Sequence, residues 1–142
     1  ILISDKNSTQ KVKDLVAELN KRNIPEGKKD NKTFRPWGSF TNIESDQTWQ
    51  VKKLEVKPFS SISLQKHEYR SEHWIVAEGE AEVTIDKKVS NLKENENIFI
   101  PKGAIHRMAN RKDRDLVIIE MWYGDNLDEN DIKRYEDIYE RI

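Results

Sequence analysis

The feature that most constrains the fold of this chain is a succession of short strand-like segments between residues 35 and 122. Glycine and proline punctuate these segments, and no helical periodicity separates them. Many short strands without intervening helices are typical of an antiparallel sandwich or barrel. The predicted strands are Ser39 to Ile43, Trp49 to Val56, Ser60 to His67, His73 to Glu78, Glu80 to Ile85, Val89 to Leu92, Ile98 to Ile100, Ile105 to Ala109 and Leu116 to Trp122.

Helical patterns flank this β region on both sides. From Ser8 to about Arg22, apolar residues recur at i, i+3, i+4 and i+7, which predicts one amphipathic helix. Residues 128 to 142 show a similar spacing, and Asp128 or Asp131 would cap the start of a C-terminal helix.

A polar stretch with proline, glycine and lysines separates the N-terminal helix from the first strand and is predicted to be a linker. We therefore assign residues 1–33 to an N-terminal strand, helix and linker, and residues 34–142 to the main domain.

Composition excludes several classes of protein. The 25 basic and 26 acidic residues give a net charge of -1, which argues against a dedicated binder of nucleic acid or of membrane surfaces. The chain has no cysteine, so any metal ion must bind to imidazole, carboxylate or amide groups. No apolar run reaches the length of a membrane span, and the first residues do not resemble a signal peptide. We expect a cytoplasmic protein.

A small set of polar side chains indicates a metal site. Gln65 and His67 are two residues apart and would share one face of a strand. Glu72 follows after a short loop, and His106 begins a distant strand after a turn with proline and glycine. If a closed barrel brings these residues together, it offers two imidazoles, one carboxylate and one amide oxygen. This donor set suits Zn, Fe, Co, Ni or Mn rather than Ca.

The spacing of these residues resembles the two sequence motifs of the cupin family. Gln65-Lys66-His67, followed by Glu72 and then by Gly79, is similar to the first motif, with Gln65 where histidine is common. The second motif is matched by Pro101-x-Gly103-x-x-His106-x-x-x-Asn110.

A narrower resemblance links the chain to the type II phosphomannose isomerases. The segments that carry it are Arg35-Pro36-Trp37-Gly38, Ser63-Leu64-Gln65 and Glu72-His73-Trp74. In that family the cupin domain follows a mannose-1-phosphate guanylyltransferase domain, and residues 1 to 22 resemble the last strand and helix of that domain. The nucleotide-binding start of the transferase, with its Gly-rich loop, is absent, so this chain alone cannot transfer the guanylyl group.

The resemblance implies a cupin double-stranded β-helix, or jelly-roll barrel, with an N-terminal and a C-terminal helix. It implies that Gln65, His67, Glu72 and His106 bind a divalent metal, with zinc favoured and cobalt, nickel, manganese or iron as alternatives. The implied reaction interconverts mannose 6-phosphate and fructose 6-phosphate in GDP-mannose synthesis, which serves polysaccharide biosynthesis. The family often carries further histidines at the positions of Glu68 and Tyr69.

Other candidates for the isomerase site follow from strand parity and charge. Lys52 shares a face with Leu54 and Val56 and would enter the cavity as a base or a phosphate anchor. Glu120, within an apolar strand, is a second candidate for the base, and Arg35 and Arg114 are candidates for binding the phosphate. His73 alternates with Glu72 and would point outward.

Three functions remain open from the sequence. The first is the metal-dependent isomerase acting on a sugar phosphate. The second is a non-catalytic module of the guanylyltransferase that binds a sugar phosphate or holds subunits together. The third is a different sugar-modifying cupin, such as an epimerase without a metal. Because Ile62 and Leu64 are expected on an outward face, we predict that this face packs against a second copy in a homodimer.

Overall fold

The computed structural model describes residues 14–15, 17–18, 21–22 and 32–140. Contacts divide the chain into two compact units, Ile1–Asn31 and Lys32–Ile142. In the first unit, Asp14, Leu15, Ala17, Glu18 and Lys21 have helical backbone, and the Arg22 amide donates to the Glu18 carbonyl at 3.1 Å. The full helix from Ser8 to Arg22, and the origin of residues 1–33 in a preceding domain, stay predictions because most of that region lies outside the described residues.

The second unit contains two antiparallel sheets, as the all-β prediction requires. The strands are β1 (Lys32–Arg35), β2 (Gly38–Ser45), β3 (Trp49–Val56), β4 (Leu64–Lys66), β5 (Arg70–Glu78), β6 (Glu80–Ile85), β7 (Lys88–Lys93), β8 (Asn97–Ile100), β9 (His106–Ala109), β10 (Leu116–Gly124) and β11 (Lys133–Glu136). The six-stranded sheet has the order β1-β2-β3-β10-β5-β8, and the five-stranded sheet has the order β11-β4-β9-β6-β7.

Alternating side chains of both sheets form the core between them. On β5, Trp74 and Val76 are buried while His73 and Ile75 are exposed, which is the period-two pattern of a strand with one buried face. The buried apolar residues that pack together in this core are Trp37, Phe40, Leu54, Val56, Ile62, Trp74, Val76, Ala81, Val83, Leu92, Ile100, Ala104, Met108, Leu116 and Ile118.

Gly79 joins β5 to β6 where the chain passes from one sheet to the other. Its φ is +91°, and an added Cβ would lie 3.0 Å from the carbonyl oxygen of Asp115. Glycine adopts such a φ without steric cost, whereas other residues are strained there. The predicted break in the chain at Gly79 is therefore explained by its backbone.

The predicted C-terminal helix was wrong. Residues Lys133–Glu136 form β11, which pairs with β4 at the edge of the smaller sheet. The Asp128 carboxylate accepts the amide of Asn130 at 2.8 Å and so stabilises a turn rather than a helix start. An open strand edge offers unpaired backbone groups, and their pairing outweighs the weak helical periodicity of this segment.

The predicted outward position of Ile62 was also wrong, because Ile62 is buried in the core and Leu64 is half-buried. The regular ladder starts only at Leu64, and Ser61 forms an isolated bridge to Ala109, so strand parity does not extend back to Ile62. The homodimer stays a prediction without this support. Among the described residues, no helix is sufficiently long and apolar to cross a bilayer.

Candidate metal centre

Three neighbouring strands of the larger sheet bring charged side chains into the barrel. Lys52 on β3, Arg70 and Glu72 on β5, and Glu120 on β10 are all nearly completely buried. The register places Glu120 opposite both Lys52 and Trp74, because β10 lies between β3 and β5. The inward direction of Lys52, Glu72 and Glu120, and the outward direction of His73, agree with the parity argument from the sequence.

The smaller sheet contributes the histidines. His106 begins β9, and its register partner on β4 is Gln65. His67 follows β4 directly. His67, Glu72 and His106 are buried together, and each offers a ligand atom that lies within 4.8 Å of the others. The Nε2 atom of His67 is 3.1 Å from Glu72 Oε1, and that of His106 is 3.6 Å from Glu72 Oε2.

Hydrogen bonds to backbone carbonyls fix the direction of both imidazole rings. The Nδ1–H of His106 donates to the Ala104 carbonyl at 3.0 Å, and the Nδ1–H of His67 donates to the Asp131 carbonyl. Each ring therefore directs its Nε2 towards Glu72. Such a bond on the remote ring nitrogen is the usual support of a metal-binding histidine.

His106 Nε2 is buried and has no hydrogen-bond partner within the described part of the chain. A buried polar atom without a partner is uncommon in proteins and costs free energy of folding. Here it faces a carboxylate and a second imidazole. Two imidazole nitrogens and a carboxylate oxygen form a donor set for Zn or a similar transition metal, so these residues fit a divalent cation.

Gln65, the fourth predicted ligand, lies beside this group. Its Nε2 is 3.3 Å from His67 Nε2, and its Oε1 accepts the Ser63 hydroxyl at 2.7 Å. A 180° rotation of the amide would direct the oxygen towards His67 instead. Metal ligation by Gln65 therefore stays a prediction, whereas its position next to His67 and opposite His106 is established.

Burial and neighbouring charges shift the pKa values of the two carboxyl groups in opposite directions. Burial alone would raise the pKa of Glu72, but the hydrogen bond from His67 and the charges of His106, His67 and Arg70 outweigh it and lower the pKa to about 2. Burial, together with the charge of Glu72, raises the pKa of Glu120 to about 8 against the attraction of Lys52. Glu72 is thus held ionised, whereas the pKa of Glu120 lies close to neutral pH.

The two bases nearest to these carboxyl groups are shifted by the same causes. Burial lowers the pKa of Lys52, although the charges of Glu120 and Glu129 oppose it. Burial also lowers the pKa of His106, against the charge of Glu72. His106 is therefore favoured in its neutral form, which is the form that binds metals.

A cavity beside this group opens to the surface, and Glu72 belongs to its wall. Residues of β1 to β5, of β10, of the chain that follows β10 and of β11 line it. They are Arg35, Trp37, Phe40, Lys52, Leu54, Ile62, Ser63, Gln65, Arg70, Glu72, Glu120, Trp122, Glu129, Asn130, Ile132 and Arg134.

Residues 125–132, here called the strap, join β10 to β11 and lie along the mouth of the cavity. The Arg70 guanidinium donates to the strap carbonyls of Asp128 at 2.9 Å and Asp131 at 3.2 Å. The Asp131 carboxylate accepts the amides of Glu68 at 3.0 Å and Tyr69 at 3.1 Å. The strap is thereby attached to the loop that carries His67.

The structure brings most of the predicted site residues to this cavity. Lys52 and Glu120 line it, and Arg35 lies at its rim with its guanidinium carbon 5.3 Å from the centre of the Phe40 ring. Arg114 is not among the lining residues. It lies in the loop before β10, 3.7 Å from Glu94, so the structure does not bring it to the site.

Sequence reasoning missed three charged residues of the cavity: Arg70, Glu129 and Arg134. Strand parity could have found Arg70, because it lies two residues before Glu72 and so shares its face. Glu129 and Arg134 belong to the segment that was predicted as a helix. No pattern in their own neighbourhood indicates that they return to the mouth of the barrel.

Comparison with known proteins places the chain in a family. A family model described as "Mannose-6-phosphate isomerase C-terminal" matches residues 22–137. The alginate biosynthesis protein AlgA of Pseudomonas syringae is 43% identical over 99% of this chain, which covers 29% of that protein. The mannose-1-phosphate guanylyltransferase of Escherichia coli is 39% identical over 100% of this chain, which covers 30% of it. The chain thus spans less than a third of these relatives.

Solved structures agree on the fold. The cupin domain of Cnp3 from Schizosaccharomyces pombe aligns with a TM-score of 0.58 and 13% identity, over 61% of this chain and 64% of that chain. A Klebsiella pneumoniae protein with a double-stranded beta-helix domain aligns with a TM-score of 0.60 and 18% identity, over 68% of this chain and 83% of that one. At these identities the likeness supports the cupin-like all-β fold alone.

Proposed function

The chain belongs to the mannose-6-phosphate isomerase C-terminal family. We propose that its cavity interconverts mannose 6-phosphate and fructose 6-phosphate with the help of a divalent metal ion, preferably zinc. The observation that carries the proposal is the buried group of His67, Glu72 and His106, in which Glu72 lines an open cavity and His106 Nε2 has no hydrogen-bond partner among the described residues. Gln65 would supply a fourth ligand. When bound, the metal would polarise the oxygens of the sugar.

The reaction needs a group that moves a proton from C2 to C1 of the sugar while a second proton passes from O2 to O1. Glu120 fits this role best, because it is buried, lines the cavity and has a pKa raised to about 8. A carboxyl group with a pKa near the working pH both accepts and releases a proton readily. Trp74 Nε1–H donates to Glu120 and to Glu72 at 3.0 Å each, and so orients both carboxyl groups.

The proposal is tested with the chain stripped of metal by a chelator and reloaded with Zn, Co, Ni or Mn. Formation of fructose 6-phosphate, followed in a coupled assay, should depend on reloading. Bound metal without turnover would favour the non-catalytic binding module instead. Failure to take up any metal would favour a cupin that modifies sugars without one.

The role of Glu120 has its own test. Glu120→Gln should lower kcat by about 10²–10⁴-fold, the usual contribution of a general base, and leave metal uptake intact. Glu55→Gln is the matched control, because Glu55 lies on β3, does not line the cavity and pairs with Lys32 and Lys53 on the outer side. An unchanged kcat in Glu120→Gln would transfer the role of the base to another group.

We also infer that this domain works beside a mannose-1-phosphate guanylyltransferase in GDP-mannose synthesis. The support is the identity of 39% to 43% with the two longer relatives, of which the chain covers 29% to 30%. An upstream reading frame that encodes a Gly-rich phosphate-binding loop would support this inference, and its absence from the gene would contradict it.

A further inference from the structure

The mouth of the cavity contains an ion pair between one buried and one half-exposed side chain. The Lys52 side chain is 2% exposed, whereas the Glu129 side chain with which it pairs is 51% exposed. Lys52 Nζ also lies 3.1 Å from the centre of the Trp122 ring and 4.8 Å from that of Phe40. The lysine is therefore fixed in the wall, and the carboxylate reaches it from the solvent side.

Glu129 is the one carboxylate within ion-pair distance of Lys52 among residues 32–140. A buried ammonium group needs an anionic partner, since its removal from water is costly. A half-exposed glutamate on a connecting segment can rotate back into water at little cost. Glu129 thus occupies a site for an anion next to Lys52, and another anion could replace it there.

Two N–H groups of the same cavity have no acceptor among the residues that the structure describes. Trp122 Nε1 and Arg134 Nε are buried, and neither has a hydrogen-bond partner in the described part of the chain. Unpaired buried donors indicate a ligand with oxygen acceptors. A phosphate monoester offers three such oxygens and the charge that Lys52 requires.

The other arginines of the cavity are already engaged. Arg70 donates to Asp128 and Asp131 of the strap and lies 3.4 Å from Glu72. Arg35 is exposed at the rim, where water solvates its charge, and donates one bond, to the Phe34 carbonyl at 3.2 Å. Lys52 and Arg134 are therefore the cations in the wall of the cavity that an anion would pair with.

We propose that Lys52 and Arg134 form a site for the phosphate group of the substrate, and that Glu129 occupies this site until the phosphate displaces it. The inference rests on the proposed function for the identity of the sugar, but not for the binding of phosphate. Displacement of Glu129 would also explain why the cavity selects a sugar phosphate over a neutral sugar. A neutral sugar would have to enter beside Glu129, because it could not replace that charge next to Lys52.

The test measures binding of inorganic phosphate to the whole 142-residue chain by titration calorimetry. Glu129→Gln removes the internal competitor and should raise the affinity for phosphate about 10-fold, because the site is then free in every molecule. Glu68→Gln is the matched control. Glu68 is 56% exposed and pairs with Lys66, which does not line the cavity, so the same change in net charge should leave the affinity unaltered.

Two further variants remove the cations. Lys52→Met keeps an unbranched apolar stem against Trp122, and Arg134→Gln changes a half-buried residue at the sheet edge; each should lower phosphate affinity about 10-fold or more. Circular dichroism would establish that each variant is folded. If Lys52→Met does not fold, Arg134→Gln still decides the matter.

The proposal is overturned if Glu129→Gln binds phosphate no more tightly than the wild type, or if Arg134→Gln binds it equally well. These outcomes are independent of turnover. A chain that shows the expected phosphate affinities without isomerisation would keep the anion site and lose the isomerase function. A chain that isomerises without these differences would keep the function and lose the site.

Discussion

The interior of the barrel has two halves that differ in chemistry although the same strands build both. In the apolar half, β3, β5, β9 and β10 present Val56, Val76, Met108 and Leu116. In the charged half, the same strands present Lys52, Glu72, His106 and Glu120. Both sets point inward and both are nearly fully buried.

The alternation of side chains along a strand thus produces two sets of buried residues with opposite effects on stability. Period-two alternation selects which side chains enter the barrel, but it does not select their polarity. Burial of the apolar set stabilises the fold. Burial of the charged set costs free energy, and hydrogen bonds and opposite charges only partly offset that cost. Stability therefore does not explain the charged half, whereas the proposed metal and substrate site would.

The largest expected effect tests the apolar half. Leu116 is completely buried. Leu116→Ala should lower the free energy of unfolding by about 2–5 kcal/mol, because it removes buried methyl groups and leaves a cavity in the core. Denaturant titration measures this change. Metal affinity of the folded fraction should stay unchanged, and a change of both quantities together would remove the separation between the two halves.

The next effect tests the charged half. His106→Ala removes one ligand of the proposed metal site, so affinity for Zn or Co should fall by more than about 100-fold, since even partners behind the ligands contribute 10–100-fold. Calorimetry, or the absorption spectrum of the cobalt-loaded chain, measures the loss.

The stability of the same variant sharpens the comparison. His106 Nε2 has no partner among the described residues. Its removal relieves an unpaired buried group and partly offsets the cavity that alanine leaves. The metal-free His106→Ala chain should therefore lose less than about 2 kcal/mol, the lower limit expected for Leu116→Ala. A larger loss would mean that His106 supports the fold as well as the site.

The sequence was sufficient for the features that depend on local periodicity. The parity of β3, β5 and β10 predicted the inward direction of Lys52, Glu72 and Glu120, and motif spacing predicted that His67, Glu72 and His106 meet. Both signals are contained in a few neighbouring residues, and the antiparallel sheets then bring those residues together.

The features that the sequence did not predict depend on pairing between distant segments. Residues 133–136 became a strand because the edge of β4 was available, and a single sequence does not reveal which edge is open. The strap came to the mouth of the cavity for the same reason. Arg114 was proposed for its charge alone, and its position beside Glu94 depends on the loop between β9 and β10.

A smaller effect concerns the pH dependence of stability in the charged half. The pKa of Glu120 is raised from 4.5 to about 8 in the folded chain. The folded state holds this proton more tightly than the unfolded state, so its stabilising contribution is complete below pH 4.5 and is lost as the pH rises to about 8.

Glu120→Gln has no such proton and should lack this loss. The free energies of unfolding of the two metal-free chains, measured by denaturant titration at about pH 5 and about pH 8.5, should therefore diverge in favour of the variant at the higher pH. Parallel pH profiles would show that Glu120 is already ionised in the folded chain at neutral pH, so that the charged half holds a second buried carboxylate beside Glu72.

The smallest effect on metal affinity is expected at the strap, where Asp131 contacts the loop that carries His67. The Asp131 carboxylate accepts the amides of Glu68 and Tyr69, and its carbonyl accepts the Nδ1–H of His67. Asp131→Ala removes the first two bonds and the ion pair with Arg70 at 3.6 Å, and leaves the carbonyl less firmly placed behind His67. We expect metal affinity to fall about 10-fold, in the range of a partner behind a ligand.

The position of Asp131 makes this result informative about the strap. Asn126 is a suitable control, because it lies in the strap and its side chain accepts only the Asp128 amide, at 2.9 Å, among the bonds described for it. If Asn126→Ala lowers metal affinity as much as Asp131→Ala, the whole strap orders the site. If only Asp131→Ala lowers it, the effect passes through the two neighbours of Asp131 at the site, His67 and Arg70, and the charged half depends on a segment outside the strands that build it.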